Sequence, residues 1–150
     1  MASVSGLGAM RQVRAMVANR HSLTAIASAS GLNHSVISEI ANGHRSMLRA
    51  ATVRAVQGAY TTLAEAVGAS TWSANRAARE GWAPPAAWDG IDMNDPDAFP
   101  DFTGHCGTLK GHRLHETCGI PICDPCRDAK AADSRERRAA RTAERQALAA

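Results

Sequence analysis

The sequence predicts a mainly α-helical chain. It comprises an N-terminal domain of four to five helices, a small module stapled through cysteine and histidine, and a C-terminal basic helix. Three observations predict this. Apolar residues recur at three- and four-residue spacing up to Val67. All four cysteines fall within residues 106–126. Beyond Arg127 the chain is mostly Ala, Arg and Glu, strong helix formers with little to bury, and Leu148 is almost its only bulky apolar residue.

Each element has a local reason. Met1 to Gly8 is small and Gly/Ser-rich and reads as a frayed end. Ala9 to Asn19 reads as a first helix, with Met10, Val13 and Val17 at helical spacing. Ser22 is an N-cap for a second helix over 22–29, in which Leu23, Ile26 and Ala27 share a face. Ala27 is small where two helices must cross closely. Gly31 suits a turn with positive φ, Leu32 plugs that turn, and Asn33 caps a third helix over 34–41. Ile37 and Ile40 point that helix inward, and Asn42-Gly43 ends it. Gly43-His44-Arg45-Ser46 is a loop with a basic tip.

A fourth helix runs from about Ala50 to Val67. Its stripe of Val53, Val56, Tyr60, Leu63 and Val67 closes the core over the first three helices; the spacing is also heptad-like and suits a homodimer seam. Ser70 to Glu80 reads as a short Ser-capped helix. Pro84-Pro85 then forces extended or turning chain. Trp72, Trp82 and Trp88 are expected to anchor this segment onto the helical domain. Asp89 to Phe102, with five Asp and two Pro, reads as an acidic linker. The expected boundaries are 1–68 for the helical domain, 69–104 for the short helix and linker, 105–127 for the cysteine module and 128–150 for the basic helix.

A helix, a glycine corner and a second capped helix in this order read as a helix-turn-helix, the element that places its second helix in the DNA major groove. Ala27, Gly31, Ile37 and Ile40 match the small, Gly and two β-branched positions of the lambda-repressor-like (XRE-type) helix-turn-helix family, and Ser38-Glu39-Ile40-Ala41-Asn42-Gly43 resembles that family's ending. The run from Arg76 to Asp89 resembles small DNA-binding proteins of actinobacteria and their phages, in which it follows the fourth helix in the same order. The similarity covers about residues 9–100. It implies a sequence-specific, double-stranded-DNA-binding transcriptional regulator, with a phage repressor among its forms.

With Ile37 and Ile40 facing in, the outward side chains of the third helix are His34, Ser35, Ser38, Glu39 and Asn42. Ser and His can hydrogen-bond base edges, Glu39 can accept from a cytosine amino group, and Asn42 can contact adenine or a phosphate. Val36, on the boundary, can touch a thymine methyl. Glu39 reads equally as a solvated helix residue. The family often carries a basic residue near its position, which leaves phosphates to others. Arg45 and Arg49 are the phosphate candidates, with Arg11, Arg14 and Arg20 weaker ones.

Cys123-Asp-Pro-Cys126 presents two thiolates to one tetrahedral ion, and Cys106, His112, His115 and Cys118 are candidates for the other two ligands. Cys106, Gly107, Thr108, Gly111, His115, Cys123, Cys126 and Arg127 carry a pattern that resembles small zinc modules of the same actinobacterial and phage proteins. That resemblance implies Cys106, His115, Cys123 and Cys126 as ligands to a structural zinc ion. Cys118 departs from the pattern, and a four-cysteine site with Cys118 replacing His115 is equally acceptable chemically. Residues 105–126 are too few and too polar to fold on apolar burial alone.

Charge follows this layout. Residues 1–66 carry six Arg and two Glu, residues 67–104 two Arg against six acidic groups, and residues 105–150 nine basic and six acidic groups. Two basic ends therefore flank an acidic middle. No run approaches the roughly 18 apolar residues of a membrane span. The first residues hold no charged stretch leading into an apolar one, so no secretion signal is expected, and the bacterial cytoplasm or nucleoid is the expected location.

No catalytic triad or phosphate loop stands out, and Gly6-Leu-Gly8 lacks the strand and further glycines of a nucleotide fingerprint. The chain is therefore read as a non-enzyme. Two alternatives remain. One is an adaptor that binds host transcription machinery through the zinc module. The other is a zinc-containing DNA endonuclease, which would need a further catalytic His and metal-binding carboxylates that residues 105–126 do not supply.

Overall fold

The computed structural model describes residues 2–150. Among them are seven α-helices and one two-stranded antiparallel sheet. The chain forms two compact units, Met1–Pro100 and Asp101–Ala150.

In the first unit, β1 (Ser3–Ser5) leads into α1 (Leu7–Ala18), α2 (Leu23–Ser30) and α3 (His34–Ala41). β2 (Met47–Arg49) follows, then α4 (Ala50–Leu63) and α5 (Thr71–Glu80). The expected frayed end is therefore ordered where it pairs: Val4 lies opposite Leu48, and the Gly6 N–H donates to the Ser46 carbonyl at 2.8 Å. The caps act largely as read. Ser22 Oγ accepts from the Ala25 N–H at 3.0 Å and Ser70 Oγ from that of Ser73 at 3.1 Å. Asn33 occupies the N-cap position of α3, but its side chain makes no capping bond. Gly31 is left-handed at φ 71°, which lets the chain turn from α2 into α3 within three residues.

The core is Val13, Met16 and Val17 of α1, Ile26 and Ala27 of α2, Ile37, Ile40 and Ala41 of α3, and Val56 and Ala59 of α4. Val53, Tyr60 and Leu63 pack against it. The α4 stripe is thus spent within the unit, and Val67 lies beyond the helix and exposed. α4 stops at Leu63, earlier than its apolar period suggests, because the α1–α2 corner takes its final carbonyls. Asn19 Nδ2 donates to Ala64 O at 3.1 Å and Ala66 O at 2.8 Å, and His21 Nε2 donates to Leu63 O at 2.8 Å and Ala66 O at 2.6 Å. Side-chain donors here replace the fifth helical turn.

The segment after α5 packs against α1. A short 3-10 turn, Pro85–Trp88, buries Trp88 beneath the Arg11 guanidinium, 5.0 Å from the ring centroid. Trp82 lies between Arg14 at 5.1 Å and Arg76 at 4.7 Å. Trp72 is exposed, so two of the three tryptophans serve as anchors. Arg11 also donates to the carbonyls of Met93 at 2.9 Å, Asp95 at 2.6 Å and Ala98 at 3.0 Å. Residues 89–100, expected as acidic linker, are tied to α1 by this guanidinium, with Met93 buried and Asn94 against Gly8. Burial lowers the pKa of Arg11 and Arg14 from the usual guanidinium value. Both side chains are engaged within the fold and are withdrawn as phosphate candidates.

The second unit contains α6 (Leu109–Cys118) and α7 (Asp124–Ala149). No helix among the described residues is long and apolar enough to cross a membrane.

Arg14 Nε donates to the Ala41 carbonyl at 2.8 Å as well as stacking on Trp82. Replacement by Ala is expected to lower the unfolding free energy of the first unit by about 2–3 kcal/mol. The exposed Arg54→Ala should change it by less than about 0.5 kcal/mol. Denaturant titration of the two variants checks the contrast.

Candidate metal centre and the exposed face of α3

The metal-ligating cluster is built from three pieces of the second unit. The loop before α6 supplies Cys106, α6 supplies His115, and the start of α7 supplies Cys123 and Cys126. Asp101 organises the loop: its Oδ1 accepts from the N–H groups of Thr103 at 3.3 Å and Cys106 at 3.1 Å. Burial opposes ionisation of Asp101, but these backbone donors outweigh it and hold the carboxyl below its usual range. Thr108 then caps α6, its Oγ1 accepting from the Gly111 N–H at 3.0 Å and donating to the His105 carbonyl at 2.6 Å.

Gly111 and His115, four residues apart, share the inner face of α6. A Cβ on Gly111 would stand 2.3 Å from the His105 carbonyl oxygen and 3.0 Å from Cys126 Sγ. Only a residue without a side chain lets α6 approach so closely. Cys123 sits at the N-cap of α7 in extended conformation, Pro125 fits the first turn, where no N–H is required, and Cys126 is fully buried. Arg127 braces this turn, donating to Asp124 Oδ1 at 2.5 Å and to the Ile122 carbonyl at 3.2 Å.

The four ligand atoms all lie within 4.8 Å of one another. Cys106 Sγ and His115 Nε2 are 3.4 Å apart. A tetrahedral ion with bonds of about 2.3 Å to sulfur needs ligand atoms about 3.8 Å apart, so the group is near that size. His115 is completely buried, rests its ring 5.7 Å from that of Phe102, and its Nδ1 has no hydrogen-bond partner among the described residues. Burial, with Cys126 and Cys106 adding, pushes the Cys123 thiol up to about 12. Three thiols this close ionise together only when a cation neutralises them. Donor chemistry and size both fit a bound metal ion.

Cys118 ends α6 exposed and outside the cluster. His112 is buried, with Nδ1 3.8 Å from Glu116 Oε1. Of the ligand sets the sequence left open, the geometry groups Cys106, His115, Cys123 and Cys126. Gly111 belongs to the zinc-module pattern, and its close approach gives that position a physical reason; Asp101 does not stand out in the sequence, and its signal is an Asp two residues before Thr103, a pattern that favours local side-chain-to-backbone bonds.

In the first unit, α3 turns Ile37, Ile40 and Ala41 into the core and leaves His34 and Ser35 exposed. Val36, Ser38 and Glu39 are half-buried on its flanks, and Asn42, Arg45 and Arg49 are exposed beyond its end. Glu39 is neither free nor only solvated, because its carboxylate pairs with Arg45 Nε. Arg76 of α5 donates to Asn42 Oδ1 at 2.6 Å.

The purified chain is expected to hold one equivalent of metal, retained in Cys118→Ser and lost in Cys126→Ser, as read by elemental analysis. Gly111→Ala, which would stabilise an ordinary helix interior by about 0.5–1 kcal/mol, should instead lower metal content and loosen the second unit.

No protein-family model, curated protein or solved structure matches this chain.

Proposed function

We propose that the chain is a sequence-specific double-stranded-DNA-binding transcriptional regulator. In this reading α2, the Gly31 corner and α3 act as a lambda-repressor-like helix-turn-helix, and Cys106, His115, Cys123 and Cys126 hold a structural zinc ion. The observation that carries it is the division of α3. Its isoleucines are buried, while polar side chains, His34 and Ser35 among them, face out, with the exposed cations Arg45 and Arg49 following the helix. A recognition helix needs this arrangement, with hydrogen-bonding groups for base edges and neighbouring cations for phosphates.

The Glu39–Arg45 pair supplies orientation. A carboxylate on a DNA-facing surface repels phosphate, but here it holds the Arg45 guanidinium in place at the helix end. Arg76 does the same for Asn42, whose Oδ1 accepts from it while Nδ2 donates to Ser38 Oγ at 3.5 Å and keeps one N–H for a partner. Four protein ligands would complete a tetrahedral zinc coordination and leave no open position, so the ion would fold the second unit and would not activate water. One helix of eight residues reads only a few base pairs. Useful specificity then requires a second copy of the chain or a second contact within it.

Selection from random duplexes at physiological salt, with zinc retained, should enrich a discrete motif. Replacing His34, Ser35 and Ser38 together by Ala should abolish preference for that motif while leaving the fold intact by circular dichroism. Undiminished preference in the triple variant would sink the reading.

A further inference from the structure

α7 extends far beyond what the metal centre needs. It covers 26 residues, about 39 Å at 1.5 Å per residue. Cys126 is its one buried residue, and every residue from Ser134 onward is exposed. The distal part therefore contributes nothing to a core within its unit.

Its charges are largely sorted around the axis, Arg135 lying apart from the other cations on the side of Asp128. At 3.6 residues per turn, Lys130, Arg137, Arg138, Arg141 and Arg145 fall within an arc of about 100°. Asp128, Asp133 and Glu136 lie outside that arc, and Glu144 lies at its edge. Asp133 pairs with Arg137 at 3.1 Å; Lys130, Arg138, Arg141 and Arg145 have no ion pair among the described residues. The cationic row runs about 22 Å along the helix.

The opposite side decides what such a row can serve. It is lined by Ala129, Ala132, Ala139, Ala140, Ala143 and Ala147, with Glu136 among them. A helix that lies in a membrane interface carries Trp, Phe or Leu opposite its cations, and a protein-docking helix carries bulky anchors at i, i+3, i+4 and i+7. The helix has one such residue, Leu148, and it falls at the azimuth of Lys130, within the cationic arc and not opposite it. A linear polyanion needs no apolar anchor, because its affinity comes from counterions released as phosphates are neutralised.

We infer that the cationic row of α7 is a second nucleic-acid contact, binding the phosphate backbone of duplex DNA without regard to sequence, alongside any reading of bases by α3. The inference shares with the preceding proposal only its partner, duplex DNA. It makes α7 the source of affinity and α3 the source of preference.

The test uses the full zinc-loaded chain and a duplex of arbitrary sequence, with binding followed from 50 to 200 mM salt. Replacing Arg138, Arg141 and Arg145 together by Gln keeps helix propensity. It should make the slope of log K against log salt shallower by about 2.7, so that the parent loses about 40-fold more affinity than the variant across that range. An unchanged slope overturns the inference. A second variant adds Ala139→Arg, Ala143→Arg and Ala147→Arg to the three glutamines, which restores net charge on the other side of the helix. Failure to recover the parent slope supports the row, and full recovery overturns it in favour of net charge alone. A duplex RNA of equal length bound more tightly than the DNA overturns the assignment to DNA. The triple Ala variant of α3 separates the two proposals. Lost motif preference with an unchanged salt slope supports both. A random pool that enriches nothing, while the Gln variant still flattens the slope, removes the α3 reading and leaves α7 standing.

Discussion

Alanine helices bury little surface, and this chain is built largely from them. Aromatic residues make up only 4% of it, so close packing of large side chains cannot alone hold its elements together. The structure depends instead on a few polar groups that each join several pieces of backbone. Arg11 gathers three carbonyls from residues 93–98 onto α1 and covers Trp88. Arg14 joins the last residue of α3 to Trp82. Asn19 and His21 end α4 by occupying its carbonyls. In the second unit, four ligand atoms do the joining. Each tie is directional, so each fixes an orientation that apolar burial would leave loose.

That distinction bears on the exposed face of α3. Ile37 and Ile40 settle which side of the helix turns inward. They do not by themselves fix how far the helix is rotated about its axis. Arg14 on Ala41, Arg45 on Glu39 and Arg76 on Asn42 supply that finer constraint, and the indole of Trp82 lies between two of these three arginines. The proline- and tryptophan-containing segment after α5 thereby becomes part of the presentation of α3.

What the sequence revealed follows the same division. The helices of the first unit announced themselves through caps, periodicity and Gly31, which are local signals, and their positions agree with the structure to within a few residues; α6 was not foreseen. The metal ligands were legible from cysteine spacing, although the choice between His115 and Cys118 was not. It depended on α6, whose existence places His115 inward with Gly111 and Cys118 at the exposed end. The pairing of β1 with β2 was illegible because its partners lie more than forty residues apart. The acidic segment was misread as linker for a related reason. Its aspartates suggest solvent, but its carbonyls are what bind, and a carbonyl has no signature in the side-chain sequence.

α7 begins inside the Cys123–Cys126 turn. The first helical hydrogen bonds and the two ligand positions are therefore set by the same four residues. This gives the helix a fixed phase: the azimuth of every later side chain is counted from the metal cluster. One residue inserted between Cys126 and Lys130 would turn the entire cationic row by about 100°, whereas one added after Arg145 would turn none of it. The tail is thus free to vary in length at its far end and constrained in number at its near end, like a screw whose thread is cut from the head.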